Sequence, residues 1–489
     1  MSACSKIDNL SKKINNEIDQ LPGFDKARKI RARDCIYKNV IAASESKSSK
    51  KATNIFCTKT KTKEVTSEAF LKACKKIKPE FIKRLSNTIV AESYQQMPAI
   101  ENFKGLDAYR KKCAILKQKY KIRESKKPRV LGFDGSIARI CKDILPDAET
   151  MAMEKQLDAK YRKVKQKRTK RKTVKIIKAQ DVDNFPLVES ENYRHGLIMT
   201  CYDLVRNLAI HMDLSYSLNE RNVFLRMLPL CRPGDLCIFD RGFYSLELAK
   251  AVEQAGCYCL FRLSGTPAIS KIEGDDIDLT DPEFQSLKVA RKLQYHPNKQ
   301  LVITPNKDKK SKKLIKIRDL KKVTDDYVFF TNAPREILPI DQLPDLYHAR
   351  WRVEEFYKLL KQTTGGKFYN NKSFRTLQQK IYFQQLSLLM NQFIINVTEK
   401  QNEETRERKI REHKRVYTKD YYPISPVLAM EHMTDLNFCI LYAKPDYLTD
   451  MEFLIYRIST ACQKIVRNFR GYPRVTLINH SRHYGSAKH

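Results

Sequence analysis

Three acidic residues in this chain have the neighbours and spacing that divalent-cation chemistry needs. Asp134 closes the apolar run RVLGFD and precedes Gly135, Asp240 closes LCIFD and precedes Arg241 and Gly242, and Glu354 lies within YHARWRVEEFYKLLK. A carboxylate at the mouth of a sheet beside a glycine turn can hold a hard cation, because such metals take oxygen ligands. A single aspartate of this kind has a plainer use in hydrogen-bonding its own loop backbone. Asp240 fits that use less well, since Ser245 is better placed to cap the helix that follows.

At about 100° per residue, with Tyr347 at zero, Arg350 falls at about 300°, Glu354 at about 340° and Lys361 at about 320°. These four share one stripe. Val353, Phe356, Leu359 and Leu360 fall on the other side, so an apolar face buries the helix while a Tyr, Arg, Glu and Lys face looks outward. Pairing between side chains would also account for such a face without any partner. Taken together, two strand-end aspartates and a helix glutamate supply three carboxylates for two divalent ions. Two such ions can activate an attacking oxygen and stabilise the leaving oxygen of a phosphodiester.

The charge supports a phosphate-bearing partner. The 489 residues contain 93 Lys and Arg against 56 Asp and Glu, a formal net charge of +37. Like charges repel in a compact chain, and a polyanion relieves that repulsion while releasing counterions. An anionic membrane surface would favour one amphipathic basic helix, whereas here Lys and Arg run from end to end. The same charge argues against glycoside hydrolysis by paired carboxylates, because it suits no neutral sugar. No run of about 18 apolar residues marks a membrane helix, and MSACSKIDNL lacks the layout of a secretory signal. A soluble, cytoplasmic protein is expected.

The elements that must position the carboxylates alternate between strand and helix. RVLGFD reads as a short strand, followed by strands GLIMTCYDL and LCIFD, a helix from about Ser245 to Gln254, and the strand CYCLFRL, an α/β pattern. Between 264 and 340 the pieces KVARKLQY, LVITP, KLIKIRDL and DYVFFTN are strand-like, a β-rich insertion. Helices return from Pro344 to about Gln362 and from Phe374 to about Val397, the latter with an apolar stripe through Ile381, Leu386, Leu389 and Ile394. Residues 1–125 read as helical and basic, with one helix after Ser67 and a Ser/Lys/Thr-rich loop or linker over 44–63. Lys160 to Lys178 holds eleven Lys or Arg in nineteen residues, a basic arm for phosphates. The 13 cysteines include no pair at zinc-binding spacing. They read as reduced thiols acting as small core hydrophobes.

Three pieces in this order carry a family resemblance: Asp-Gly-Ser at 134–136, LCIFDRGFYSLELAKAVEQAGCYCLFRL, and the pattern Tyr347, Arg350, Glu354, Lys361. Over about 129–400 the chain resembles a DDE transposase of the bacterial insertion-sequence-four family. The resemblance implies a ribonuclease-H-like catalytic core (126–263 and 341–400) with the β-rich insertion (264–340) before the glutamate helix. Around it stand a helical, basic, DNA-binding region (1–125) and a C-terminal region for dimerisation or DNA contact (401–489). It implies Asp134, Asp240 and Glu354 as catalytic ligands of two Mg²⁺ ions, with Mn²⁺ as substitute. Tyr347, Arg350 and Lys361, and with less support Arg241, would contact DNA.

The implied reaction is cleavage at the terminal inverted repeats of the element and joining of the 3′-OH to target DNA, within a homodimer on the DNA and associated with the nucleoid. Excision through a hairpin would need an aromatic ring to stack a base. The single tryptophan, Trp351, lies in the glutamate helix, which leaves Tyr295, Tyr327, Phe329 or Phe330 for that task. Two alternatives keep the same core. One is a metal-dependent nuclease without strand transfer, and the other a DNA-binding descendant that no longer cuts.

Overall fold

The computed structural model describes residues 2–22, 24, 30–44, 48–61, 65–96, 129–141, 143–146, 148, 151–152, 193–263, 267–295, 327–363, 368–369, 371, 373–399, 424–442 and 447–461. One mixed sheet runs through the centre of the chain. Its strands are β1 (Val130–Cys141), β2 (Tyr193–Asp203), β3 (Leu208–Ser215), β4 (Leu236–Phe239), β5 (Tyr258–Arg262), β6 (Asp276–Asp278), β7 (Arg291–Tyr295), β8 (Tyr327–Thr331) and β9 (Phe368–Tyr369). They lie in the order β3-β2-β1-β4-β5-β8-β7-β6, with the short β9 beside β1. β2 runs antiparallel to both of its neighbours, β1 and β3, whereas β4 and β5 run parallel to β1.

The strand at Asp134 is longer than its apolar run suggests. β1 does not stop at Asp134 but runs on to Cys141, 12 residues in all, and pairs with β2 from Leu131 to Cys141. Asp134-Gly135 is therefore mid-strand and not a turn. β4 is the strand that ends there, because its last pair with β1 is Phe133↔Phe239. Asp134 and Asp240 thus occupy the same level of two adjacent parallel strands, where one leaves the sheet and the other goes on.

Two features hold that register. At the opposite end of the pair, the buried Arg129 Nη2 meets Asp235 Oδ2 at 2.6 Å, and the Arg129 backbone N–H donates to Asp235 Oδ1 at 2.7 Å. Beneath the strands, Phe133 and Phe239 stack at 5.5 Å and both meet the ring of Phe224 edge-on, at 4.7 and 4.8 Å. Such aromatic contacts add about 0.5–1.5 kcal/mol each beyond the area they bury.

Phe224 belongs to α6 (Glu220–Met227), which packs on the odd-numbered face of β1. The even-numbered face meets another helix, α9 (Trp351–Thr363). That approach depends on Gly132, since a Cβ there would stand 2.8 Å from Val353 Cγ2.

The stretch expected as one helix from Pro344 to Gln362 forms two, α8 (Leu343–Ala349) and α9. Tight turns flank Arg350 at the joint, from Arg350 N to Tyr347 O and from Val353 N to Arg350 O. After Asp240, α7 (Leu246–Gln254) begins at its cap Ser245, whose hydroxyl accepts from Leu248 N, and packs on β5. The following helix α10 (Phe374–Thr398) is buried on nearly every side, including the expected Ile381, Leu386, Leu389 and Ile394.

α10 is the axis of a helical layer drawn from both halves of the chain. From the first half come α1 (Ala3–Asp19), α2 (Ala32–Ser44), α3 (Ser49–Thr60), α4 (Ser67–Cys74) and α5 (Pro79–Gln96). From the second come α11 (Met430–Tyr442) and α12 (Tyr447–Thr460). α1, α2, α5, α11 and α12 all touch α10, and α10 and α5 also rest on β3.

Two expectations change here. The Ser/Lys/Thr-rich stretch is not a loop: α3 occupies it, capped by Ser48 and burying Ala52, Thr53 and Phe56. The helix after Ser67 is split, because Pro79 begins α5 and suits a first helical turn. Gln379 of α10 fills the break, its side-chain amide donating to Cys74 O at 3.0 Å and to Ile77 O.

In the stretch expected as a β-rich insertion, KVARKLQY and DYVFFTN contain β7 and β8, which extend the main sheet beyond β5. LVITP, KLIKIRDL and the basic arm at 160–178 lie outside the described residues. Phe329 and Phe330 are buried in the core, at 2% and 0% exposure, and are not available to stack on a base. Tyr295 and Tyr327 are half-buried, and Arg262 lies 4.4 Å over the Tyr327 ring. No disulfide joins the described cysteines, and Cys35, Cys201, Cys237 and Cys259 are buried. Among the described residues, no helix is long and apolar enough to cross a membrane.

Candidate functional site

The three carboxylates picked out by spacing come together around one guanidinium. Arg350 Nη2 donates to Glu354 Oε1 at 2.6 Å and lies 3.8 Å from Asp240 Oδ1, and Arg350 Nη1 lies 3.9 Å from Asp134 Oδ2. The joint between α8 and α9 makes this possible. It sets Arg350 between the helices, with a side chain only 4% exposed, while Glu354 follows one turn later. The stripe expected to look outward therefore divides. Tyr347 and Arg350 turn inward to the strand ends, and Glu354 and Asp240 keep 43% of their side chains exposed.

Each carboxylate has its own support. Tyr347 OH donates to Asp240 Oδ1 at 3.2 Å, and its ring is held edge-on by Phe329 at 4.8 Å. Asp240 makes no capping bond to the turn after it, which leaves its oxygens free of local backbone work. Asp134 Oδ1 accepts from Gly135 N at 2.9 Å. Tyr357 of α9 holds the strand behind it, with its hydroxyl 2.7 Å from Asp134 O and 2.9 Å from Ile198 O.

The electrostatics are those of a crowded acidic site. Burial pushes the Asp134 carboxyl up to about 6, reinforced by Asp240 and Glu354 and opposed by Arg350 and the Gly135 N–H. Burial also raises the Tyr347 phenol to about 12. Arg350 is held above its ordinary value by Tyr347, Asp240, Glu354 and Asp134, which together outweigh its burial. Even so, its Nε and Nη1 are buried without a hydrogen-bond partner. Among the described residues, no three acidic, histidine or cysteine side chains are close enough to grip an ion as they stand.

Two of the expected DNA contacts lie at the edge of this group. Arg241 is exposed beside Asp240, and Lys361 is half-buried two turns beyond Glu354 on α9.

A fourth carboxylate, Glu220, was not singled out by sequence reasoning. It opens α6 next to the cap Asn219, whose side chain accepts from Arg221 N at 3.2 Å. Arg221 then reaches across to Gly242 O, with Nη2 at 2.8 Å and Nε at 3.0 Å. Glu220 is thereby held against the two glycines that follow the aspartates. A Cβ on Gly135 would stand 2.7 Å from its Oε1, and one on Gly242 3.7 Å from its Oε2. Burial raises the Glu220 carboxyl to about 7, with Asp134 and Asp240 adding to the rise. No spacing rule finds it, because LSYSLNERNVFLRM reads as an ordinary capped helix start.

Residues 125–390, just over half of the 489-residue chain, match the family model described as a transposase DDE domain. The chain belongs to that family. It is similar to the transposase for insertion sequence element IS231D of Bacillus thuringiensis subsp. finitimus, 25% identical over 207 residues that cover 33% of this chain and 41% of the relative. It is also similar to the transposase for IS231F of Bacillus thuringiensis subsp. israelensis, 29% identical over 181 residues, 29% of this chain and 38% of that one. The match thus spans about two fifths of the length of these curated relatives.

A distant likeness joins the chain to the piggyBac transposase in a synaptic complex with hairpin DNA, at TM-score 0.36 and 10% identity over 95% of this chain and 83% of that one. A likeness so remote carries no argument.

Proposed function

We propose that this chain is a DNA transposase that cleaves at the ends of its own insertion sequence and joins the freed 3′-OH to target DNA. Membership of the DDE family supports the reaction class. The observation that carries the reading to residues is the convergence of Asp134, Asp240 and Glu354 on the buried Arg350. The strand order β3-β2-β1-β4-β5, antiparallel across the first three and parallel thereafter, supports a ribonuclease-H-like core.

The donor set suits a hard divalent ion such as Mg²⁺, being made of carboxylate oxygens alone. The guanidinium stands among those oxygens, where positive charge is favoured, and its unpartnered nitrogens leave it incompletely held. Asp134, Asp240 and Glu354 would hold the ions once the guanidinium turns aside. When bound, two such ions supply activation of the attacking oxygen and stabilisation of the leaving oxygen.

The rest of the work falls to the chain's own side chains. Tyr347 fixes the orientation of Asp240, and Tyr357 fixes the backbone that carries Asp134. Arg350 offsets part of the carboxylates' charge in the free protein and is within reach of a phosphate that enters the site. Arg241 and Lys361 flank the opening and offer positive charge to the DNA backbone, which contributes positioning and affinity without sequence readout. Positioning supplies much of the rate in phosphoryl transfer.

A duplex carrying the element's terminal repeat and flanking DNA tests the reading. Wild-type protein with Mg²⁺ is expected to nick at the repeat boundary and join the ends to a plasmid, while Glu354→Gln binds the repeat and does neither. Cutting without joining by the wild type would identify a nuclease. Binding without cutting would identify a DNA-binding descendant.

A further inference from the structure

We infer that Glu220 is a fourth oxygen ligand of the same ion site, reaching it from the opposite face of the sheet past Gly135 and Gly242. The inference rests on the proposed metal-dependent reading of Asp134, Asp240 and Glu354, and it extends the site to an element that no motif marks.

The geometry is specific. Asp134 lies on the face of β1 that α9 covers, whereas Glu220 comes from α6 on the other face. A carboxylate from below meets the aspartates only where β4 has left the sheet and the neighbouring residue lacks a side chain. Both conditions hold here. β4 ends at Phe239, and the residue after Asp134 is a glycine whose Cβ would stand 2.7 Å from Glu220 Oε1. The approach is anchored on both sides of Glu220, by the Asn219 cap and by the Arg221 bonds to Gly242 O.

A further carboxylate added to a site that already holds more acid than Arg350 can offset is costly, and a fold that holds it there through its two chain neighbours points to a ligand. The second sign is Arg350, 3% exposed, aimed among the aspartates and Glu354 with no hydrogen-bond partner for Nε or Nη1. One guanidinium cannot balance the group. Two divalent ions carry four positive charges, which four carboxylates balance and three do not.

Mn²⁺ binding to the full chain, followed by titration calorimetry and by the Mn²⁺-induced rise in Tm, tests the inference with no DNA present. Wild type, Glu220→Gln, Glu220→Asp and Glu354→Gln are compared. Glu220→Gln is expected to weaken Mn²⁺ binding by about tenfold or more, on the scale at which metal sites respond to loss of a supporting group. Its ion-free Tm should be no lower than that of the wild type, because the buried charge is removed. Glu220→Asp keeps the charge but withdraws it by one methylene, and it should also bind more weakly.

Wild-type affinity in both Glu220 variants, with binding lost in Glu354→Gln, would overturn the inference and leave the proposed function standing. Absence of Mn²⁺ binding by the wild type would overturn both.

Discussion

Replacing Arg350 by methionine keeps much of the side-chain volume and removes the one cation among three carboxylates. At an effective dielectric of about 20, a unit pair at 4 Å attracts by about 4 kcal/mol, and Arg350 has partners at 2.6, 3.8 and 3.9 Å. Two effects reduce that sum. Asp240 and Glu354 are 43% exposed, so solvent screens their share. The guanidinium itself is desolvated with two nitrogens unsatisfied, each a cost of about 1–3 kcal/mol that the substitution removes. Breaking a buried ion pair costs about 3–5 kcal/mol, so we expect Arg350→Met to lose about 2–4 kcal/mol near pH 8, after allowing for the exposed partners.

The loss should shrink below about pH 6, where Asp134 takes up a proton and no longer needs a counterion. Mn²⁺ should stabilise the variant more than the wild type, because the ion no longer competes with a resident positive charge. Urea unfolding followed by circular dichroism near pH 8 and near pH 4, with and without Mn²⁺, measures all three effects. Wild-type stability near pH 8, or the same loss at both pH values, would refute the electrostatic account of Arg350.

Three further outcomes follow from the same geometry. The folded-state carboxyl of Asp134 sits at about 6 against 3.8 for the free group, so the native state binds more protons in that window and stability falls as pH rises through it. Asp134→Asn should therefore be more stable than the wild type near pH 8, by up to about 3 kcal/mol, since each tenfold change in proton affinity is worth about 1.4 kcal/mol. The gain should vanish below about pH 4 in urea titrations. Gly135→Ala puts a methyl group 2.7 Å from both Glu220 Oε1 and Leu197 Cδ1. It should cost about 1–3 kcal/mol in thermal unfolding, as overpacking does, and unchanged stability would show that Glu220 is free to move away. Gln379→Ala removes the amide that bridges the end of α4 to the start of α5, and a loss of about 1–3 kcal/mol is expected by calorimetry.

Much of the site was legible because its parts are short and local. Apolar runs ending in Asp134 and Asp240 do become neighbouring strands, Ser245 does cap α7, and Val353, Phe356 and Leu360 are buried as helical spacing requires. The misreadings have identifiable causes. Asp-Gly-Ser reads as a turn, yet beyond it Ser136, Ala138 and Ile140 are buried while Ile137 and Arg139 are exposed, the alternation of a continuing strand.

The joint at Arg350 is invisible in a periodic pattern that runs straight through it. α3 was hidden by a composition typical of loops, with Ala52, Thr53 and Phe56 its only fully buried residues. Glu220 depends wholly on tertiary placement. Its neighbours specify a helix start, and only the packing of α6 beneath β1 brings it to Asp134.

The position of α10 has a consequence for how the chain is made. Helices α1, α2 and α5 find their packing partner some 300 residues downstream, at α10. At about 5–20 residues per second, a ribosome needs about 15–60 s to travel from the end of α5 to the end of α10. Through that interval Ile7, Leu10, Ile36, Val40 and Ile82, all buried in the finished protein, lack the helical layer that α10 completes. Contacts of such long sequence separation also fold slowly, because loop closure must precede any gain. The N-terminal helices synthesised alone should therefore be prone to associate, and yields of intact protein should respond to translation speed and to chaperones that shield apolar helices until α10 emerges.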